Sequence, residues 1–193
     1  MPVQSDVDIC NLAQDLLGAD RIASITAPVS ANERKYALHY PAVRDAELRK
    51  RRWNFAKEFH ALTPTAPAIA TGTKTLYRYN WPGPALRAIR ESGSNWTPAG
   101  RQLLSEVNGT LAVWFIIVPP VATFDPLFVE LLAAALAMKL CEAVTQSNEK
   151  KKDAGEAYEK ARREAGAANA FEIGPENIAD DDSVFSWVQA RYS

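Results

Sequence analysis

Residues 30–59 constrain the fold of this chain more than any other stretch. Ser30 followed by Glu33 is a capping box, in which each side chain hydrogen bonds a backbone N–H at the start of a helix. Apolar side chains then recur at steps of three, four or seven, the spacing of one helix face. Pro41 cannot donate to the carbonyl four residues back, which favours a kink or a restart. The pattern predicts one long, bent helix as the spine of the fold, with these apolar residues on one face: Tyr36, Tyr40, Val43, Leu48, Phe55, Phe59 and Leu62.

Two further helix patterns lie near the C-terminal end of the sequence. Asp125 followed by Pro126 is typical of a helix start, with an N-cap carboxylate and a proline in the first turn. The helix from there to about residue 144 is apolar nearly all round. Residues 149–168 form another helix, in which alanines recur on one face. We expect these alanines to face the alanines of the preceding helix. Small side chains on both sides predict a close antiparallel helix pair.

The middle of the chain, residues 73–118, contains turn signals and short apolar runs instead. Residues 76–79, 86–90, 101–107 and 110–118 predict strands. Asn108-Gly109 joins the last two, and Asn-Gly is the strongest short-range hairpin signal because both turn positions favour positive φ. We therefore expect a hairpin at this dipeptide and a small cluster of Trp96, Trp114 and Phe115.

These patterns predict an α+β fold that is predominantly α. It is a helical bundle, made of the long kinked helix and the antiparallel helix pair, with a small antiparallel β insert. A short N-terminal helix that ends at Gly18 completes the bundle. We expect a single domain over residues 1–193, with the following parts: helical body 5–62 and 124–168, β insert 73–118, and C-terminal tail 171–193.

Composition points away from several classes of protein. A net charge of −1 gives no bulk attraction to nucleic acid or to an anionic membrane. The longest apolar stretch, residues 126–141, carries charges and is too short to span a bilayer, so we expect no membrane contact. The N-terminus has no apolar segment of the kind that directs secretion. Cys10 and Cys141 provide neither a disulfide framework nor a metal-binding set, which favours buried free thiols.

The sequence contains no recognisable catalytic motif. It has no phosphate-binding glycine loop, no zinc-protease motif and no nucleophile elbow. His39 and His60 lie far apart, with no cysteine or carboxylate cluster near either at metal-ligand spacing. The carboxylates are scattered and nominate no acid–base pair. We expect no catalytic residue, no metal, no cofactor and no enzymatic activity.

The strongest charge signal is a run of four basic residues at the end of the predicted spine. With Trp53 and Phe55 beside it, such a patch could contact phosphates and stack on bases. However, four consecutive helical residues point around most of the helix circumference, and Asp45 and Glu47 are spaced for ion pairs with the run. A helix-surface or subunit contact is favoured over a DNA-facing patch for these residues: Arg49, Lys50, Arg51 and Arg52.

The last part of the chain has an acidic run, residues 180–182, followed by large apolar side chains. Such side chains have no core of their own, so they either fold back on the subunit or dock on a partner. Aromatic anchors in partner pockets are common binding hot spots. These four residues are the candidates: Phe185, Trp187, Val188 and Tyr192.

The order of these signals resembles the podovirus head–tail adaptor family, also called tail tubular protein A. The likeness covers about residues 5–170, and no match extends beyond Ala170. The predicted strands and the hairpin fall in the expected place between the helical motifs. Four segments carry the likeness: Ile9-Cys-Asn-Leu-Ala13 with Leu16-Leu-Gly18; Tyr40-Pro-Ala-Val-Arg-Asp45 running to Trp53-Asn-Phe-Ala56; Phe124-Asp-Pro-Leu-Phe128; and Tyr158 to Ala165.

The resemblance implies a structural protein without catalytic activity. It would form a ring of twelve copies in the neck of a virion, between the portal protein and the tail nozzle protein, after synthesis in the host cytoplasm. DNA would pass through the ring without sequence-specific contact. We hypothesise that the C-terminal aromatic residues dock on the portal, with Trp187 as the chief anchor. The alternatives are a small DNA-binding accessory protein that uses Arg49 to Arg52, and a small enzyme.

Overall fold

The computed structural model describes residues 5–65, 68–71 and 73–173, which contain four α-helices and seven β-strands. This part of the chain forms two compact units, a helical unit of residues 5–56 and 118–169 and a β unit of residues 57–117 and 170–173. The helices are α1 (Asp6–Leu17), α2 (Ala31–Lys50), α3 (Pro126–Thr145) and α4 (Asn148–Ile173). The strands are β1 (Lys57–Leu62), β2 (Ile69–Thr71), β3 (Lys74–Asn80), β4 (Ala85–Ile89), β5 (Trp96–Ala99), β6 (Gln102–Ser105) and β7 (Leu111–Ile117).

This architecture corrects the predicted fold class. We expected a predominantly helical bundle with a small β insert, whereas the described residues form a mixed α+β fold with two antiparallel sheets. Three of the strands have no clear strand pattern in the sequence. Phe59 in β1 also fits a helical step, β2 lies in a Thr- and Ala-rich segment, and β5 contains Pro98. The proline is tolerated because β5 is an edge strand of its sheet.

The starts of α2 and α3 and the end of α1 were predicted correctly from their caps. Gly18 ends α1 with a φ of 61°, whereas the capping box of Ser5 and Asp8 at the start of α1 was not predicted. The predicted capping box of Ser30 opens α2. At α3, the Asp125 carboxylate accepts from the backbone N–H groups of the second and third residues of the helix, at 2.8 and 3.2 Å. These signals are local, since a cap acts within one turn of its own helix.

The predicted end of the spine was wrong. Helix α2 continues through Pro41 as one element but stops at Lys50, after which Arg51 is extended. The indole N–H of Trp53 donates to the carbonyl of Glu47 at 2.9 Å and so satisfies one acceptor of the last helical turn. Residues 54–56 form a 3₁₀ turn and residues 57–62 form β1, so the helical body does not extend to residue 62. The stop depends on tertiary contacts and has no glycine or proline signal.

In the helical unit, α3 is the central element and packs against α1 and α2. Its side chains are buried along almost its whole length, as its apolar sequence predicted. Lysines from neighbouring helices bind two helix ends, since Lys35 Nζ donates to the Ala143 carbonyl and Lys150 Nζ to the Leu17 carbonyl, both at 2.6 Å. The alanines of α3 and α4 that were predicted to face each other line a common groove.

The β unit consists of two sheets, with strand orders β1-β7-β4 and β2-β3-β6-β5. Their inner faces share one core, and Phe115 of β7 lies at its centre with aromatic neighbours on several sides. Trp96 and Phe115 belong to this core as predicted. Trp114 does not, because alternation along β7 places it on the opposite face. The core residues are Tyr79, Ala85, Trp96, Leu103, Leu111, Val113 and Phe115.

The predicted hairpin at Asn108-Gly109 was wrong. Strand β6 pairs with β3 and β5, whereas β7 pairs with β1 and β4, so the two strands lie in different sheets. Gly109 has a φ of 139°, and the connection passes between the sheets. Tyr79 fixes it by donating its hydroxyl to the carbonyls of Val107 and Gly109, at 2.5 and 3.1 Å. Both edges of β6 are already occupied, and this leaves no place for β7.

The carboxylate of Glu33 organises the entry to α2. It accepts backbone N–H groups of Ser30 and Val29, each at 2.7 Å, and those of Ala23 and Ser24, at 3.1 and 3.4 Å. These hydrogen bonds, with that of Ser30 the strongest, lower the pKa of Glu33 from 4.5 to about 2. Because the folded state holds the ionised form, the stabilisation is complete above pH 4.5 and is lost as the pH falls toward 2.

We therefore predict that Glu33→Gln destabilises the protein at neutral pH, because the amide presents a donor to some of these N–H groups. The free energy of unfolding, measured by urea denaturation, should differ most between wild type and variant above pH 4.5, and least near pH 2. Glu156→Gln, a change at an exposed carboxylate of α4, is the control and should not alter the pH profile. A constant difference between wild type and Glu33→Gln across this range would contradict the prediction.

Candidate functional site

The helical unit contains an apolar groove of about 300 Å³ between α1, α3 and α4. Leu12 and Leu16 of α1 stand on one side, with 38% and 53% of their surface exposed. The other walls are alanines, Ala133 and Ala134 from α3 and Ala157 and Ala161 from α4. Three charged residues complete the lining: Glu130, Lys160 and Glu164. An apolar recess lined by a few charged groups is typical of a binding site.

The position of α4, which forms one wall of the groove, is fixed by side-chain contacts with α2. Near Tyr158, α4 attaches to α2 through polar side chains: Lys50 Nζ lies 2.9 Å from the Tyr158 hydroxyl and 2.6 Å from Glu47 Oε1. The Tyr158 hydroxyl also lies 3.3 Å from Glu47 Oε1. Glu47 is buried, so its carboxylate needs both partners. Partial burial acts to lower the pKa of Lys50, but the hydrogen bonds with Glu47 and Tyr158 outweigh it and the pKa is raised.

The predicted basic patch is partly built into this attachment. Arg49 and Lys50 are exposed, whereas Arg51 and Arg52 are half-buried. Glu47 pairs with Lys50 and not, as its spacing suggested, with Arg51. The Arg51 guanidinium lies against Gly166 of α4, where an added Cβ would come within 2.4 Å of it. The four residues therefore do not present a single exposed basic stripe.

The β unit carries a separate exposed apolar feature, the aromatic pair Phe59 and Trp114. Their rings are 5.2 Å apart in an edge-to-face arrangement, on paired positions of β1 and β7. Half of the Phe59 surface and 37% of the Trp114 surface are exposed. The pair of Phe59 and Trp114 was not predicted from the sequence, because Phe59 was assigned to a helix face. Alternation along β7 was the available signal, since Trp114 lies between the inward positions Val113 and Phe115.

Both cysteines are buried free thiols. Burial raises the pKa of Cys10 to about 12, with a smaller contribution from the nearby Asp6 carboxylate. A thiol with so high a pKa is almost never a thiolate at neutral pH and is therefore a poor nucleophile.

Within residues 5–65, 68–71 and 73–173, no three His, Cys, Asp or Glu side chains are close enough together to hold a metal ion. None of the helices in this part combines the length and the apolar character needed to cross a membrane. The four predicted portal-docking residues, Phe185, Trp187, Val188 and Tyr192, lie outside the described residues.

Comparison with protein families and with characterised proteins finds no match for this chain.

The contact between Arg51 and Gly166 predicts different effects for two glycine substitutions in α4. Gly155→Ala should stabilise the protein by about 0.5–1 kcal/mol, because alanine favours the helix and nothing lies within 4 Å of the new Cβ. Gly166→Ala should gain less or lose stability, because its Cβ displaces the Arg51 guanidinium. Thermal or urea unfolding measures both values.

Arg51→Ala provides the matched background for this comparison. Without the guanidinium, Gly166→Ala should be more favourable than in the wild-type background while the effect of Gly155→Ala is unchanged, so the double mutant reports the contact. Equal effects of the two substitutions in the wild-type background would show that Arg51 does not pack on Gly166.

Proposed function

We propose that this chain is a structural adaptor in the neck of a phage particle, joining a portal protein to a tail nozzle protein. The observation that carries the proposal is the insertion of a β unit, with its own core, into a helical unit. A connector needs one surface for each partner, and two separately packed units can supply them. The resemblance to head–tail adaptors gives the identity of the partners.

Each unit supports this proposal with exposed large apolar side chains. Leu16 and Leu38 are more than half exposed on the helical unit, and Phe59 and Trp114 are exposed on the β unit. Exposed apolar groups of this kind mark interaction sites when they are grouped. We assign portal and neighbouring-copy contacts to the helical unit, and nozzle contacts to the β unit around Phe59 and Trp114.

The proposed ring surrounds the channel through which DNA leaves the particle. DNA that slides through a channel should not be retained by many phosphate contacts, because each one strengthens binding and makes it salt-dependent. A net charge of −1 is compatible with that requirement. The proposed location is the virion, and the proposed contact with DNA is not sequence-specific.

We predict that the protein forms closed rings, either at high concentration or when it is mixed with the portal of the same phage. Repeated contacts between two different surface patches of one chain generate a ring when the rotation closes. Native mass measurement and electron microscopy of the mixture check this, and particles with a central channel and portal density at one end are the expected result.

A protein that stays monomeric alone and with the portal would contradict the ring. Salt-dependent titration with duplex DNA tests the alternative, a small DNA-binding protein that uses Arg49 to Arg52. The adaptor should bind a duplex only weakly at physiological salt. Tight binding with a steep salt dependence would favour the alternative instead.

We also predict that Phe59→Ala or Trp114→Ala weakens nozzle binding and leaves portal binding unchanged. An aromatic anchor at an interface contributes roughly 2 kcal/mol or more, which corresponds to a loss in affinity of about thirtyfold. Binding to nozzle and portal is measured separately on variants whose thermal unfolding shows that they are folded. Leu38→Ala, at a 72% exposed side chain of α2, is the control and should not affect nozzle binding. Unchanged nozzle affinity in both aromatic variants would contradict the assignment of the nozzle contact to Phe59 and Trp114.

A further inference from the structure

We propose that the apolar groove between α1, α3 and α4 receives the exposed face of α2 from a second copy of this chain. That face, the α2 ridge, consists of four exposed residues spaced four positions apart: Arg34, Leu38, Ala42 and Ala46. The inference rests on the proposed function, since it names the two surfaces through which neighbouring copies in the proposed ring contact each other. Both surfaces belong to the helical unit.

The α2 ridge cannot fill the groove of its own subunit. Leu38 is 72% exposed, whereas Tyr36 and Tyr40, two positions to either side of it, are buried. Positions two apart point to nearly opposite sides of a helix, so the tyrosines face the core and Leu38 faces away from it. The groove is lined by residues of α1, α3 and α4. A second copy is therefore needed to bring Leu38 into the groove.

The groove has the shape that accepts a helix. Its lining on α4 runs from Ala157 to Glu164, about 10 Å along the helix axis, and the ridge from Arg34 to Ala42 is about 12 Å long. Residues spaced four apart form the ridge that packs between the side chains of neighbouring helices, and alanine walls allow close approach. An apolar groove that receives helix residues at this spacing is a common mode of protein recognition.

The charges of the two surfaces are complementary. Lys160 lies 4.0 Å from Glu164, whereas Glu130 has no ion-pair partner within the part of the chain that the structure describes. Arg34 contacts the carbonyl of Val29 at 2.5 Å, and its guanidinium has further N–H donors. Seating the ridge between the alanine walls brings this cation, one turn from Leu38, to the acidic lining of the groove. We assign the ion pair of the contact to Arg34 of one copy and Glu130 of the next.

The contact is heterologous, because the ridge and the groove are different surfaces of the same chain. Each copy in a pair keeps one unused ridge or groove, so the contact repeats and generates a ring when the rotation closes. This asymmetry provides a sharp test, since each surface can be blocked separately in the full-length chain. Two blocked variants complement each other only if the ridge binds the groove.

Leu38→Asp blocks the ridge, and Ala161→Arg blocks the groove with a larger, charged side chain. Ala167→Arg is the matched control, because it makes the same change at an exposed position of α4 that does not line the groove. Association is measured by sedimentation velocity over a range of protein concentrations, for the chain alone and with the portal protein. Circular dichroism establishes that each variant is folded.

The expected result is that either blocking change raises the apparent dissociation constant for self-association by about tenfold or more, because a charge is buried without a partner. The control should associate like wild type. An equimolar mixture of the two blocked variants should form a one-to-one dimer and nothing larger. Arg34→Glu and Glu130→Arg should each weaken association, and the chain that carries both changes should recover it.

Association that persists in both blocked variants would overturn the contact and leave the proposed ring standing. A mixture of the two variants that stays monomeric would show that the ridge and the groove do not bind each other. A wild-type chain that does not associate, alone or with the portal, would contradict both the contact and the ring. The contact uses no residue of the β unit, so the nozzle affinity of a single subunit should be the same in every variant.

Discussion

The fold depends on the side chain of Asn169, which holds the chain where it leaves α2. Its Oδ1 accepts the backbone N–H of Asn54 at 2.9 Å, and its Nδ2 donates to the carbonyl of Arg52 at 3.1 Å. The Asn54 amide in turn donates to the backbone carbonyl of Asn169 at 3.3 Å. One amide side chain thus provides both the donor and the acceptor that an extended backbone needs. The same contacts attach α4 to the rest of the helical unit.

This clamp explains why a strongly helical sequence stops without a conventional stop signal. Residues 49–57 contain no glycine or proline, and good helix formers would allow α2 to continue. The indole of Trp53 satisfies the carbonyl of Glu47 and lies edge-to-face against Phe128, with ring centres 5.0 Å apart. Burying Trp53 in this position requires the backbone to turn. Tertiary packing therefore outweighs local propensity at this point.

The parts of the fold that could be predicted are those set by neighbouring residues. The caps at Ser30 and Asp125 and the left-handed Gly18 act within one turn, so the sequence alone located them. The apolar character of α3 likewise predicted its burial. The end of α2 and the pairing of β7 depend on residues distant in the sequence, Asn169 and the partners of β6. Asn-Gly favours a tight turn locally, but it does not decide which strands lie beside it.

The candidate groove was beyond prediction for a related reason. Alanine stripes on α3 and α4 favoured direct contact, because small side chains let helices approach closely. Contacts at the edges of α4 fix its position instead, through Tyr158, Asn169 and the lysine at position 150. Hydrogen bonds have strict distance requirements, whereas contacts between alanines contribute little energy for each atom pair. These polar contacts hold α4 at its two ends and near its middle, and the groove lies between α4 and its neighbours α1 and α3.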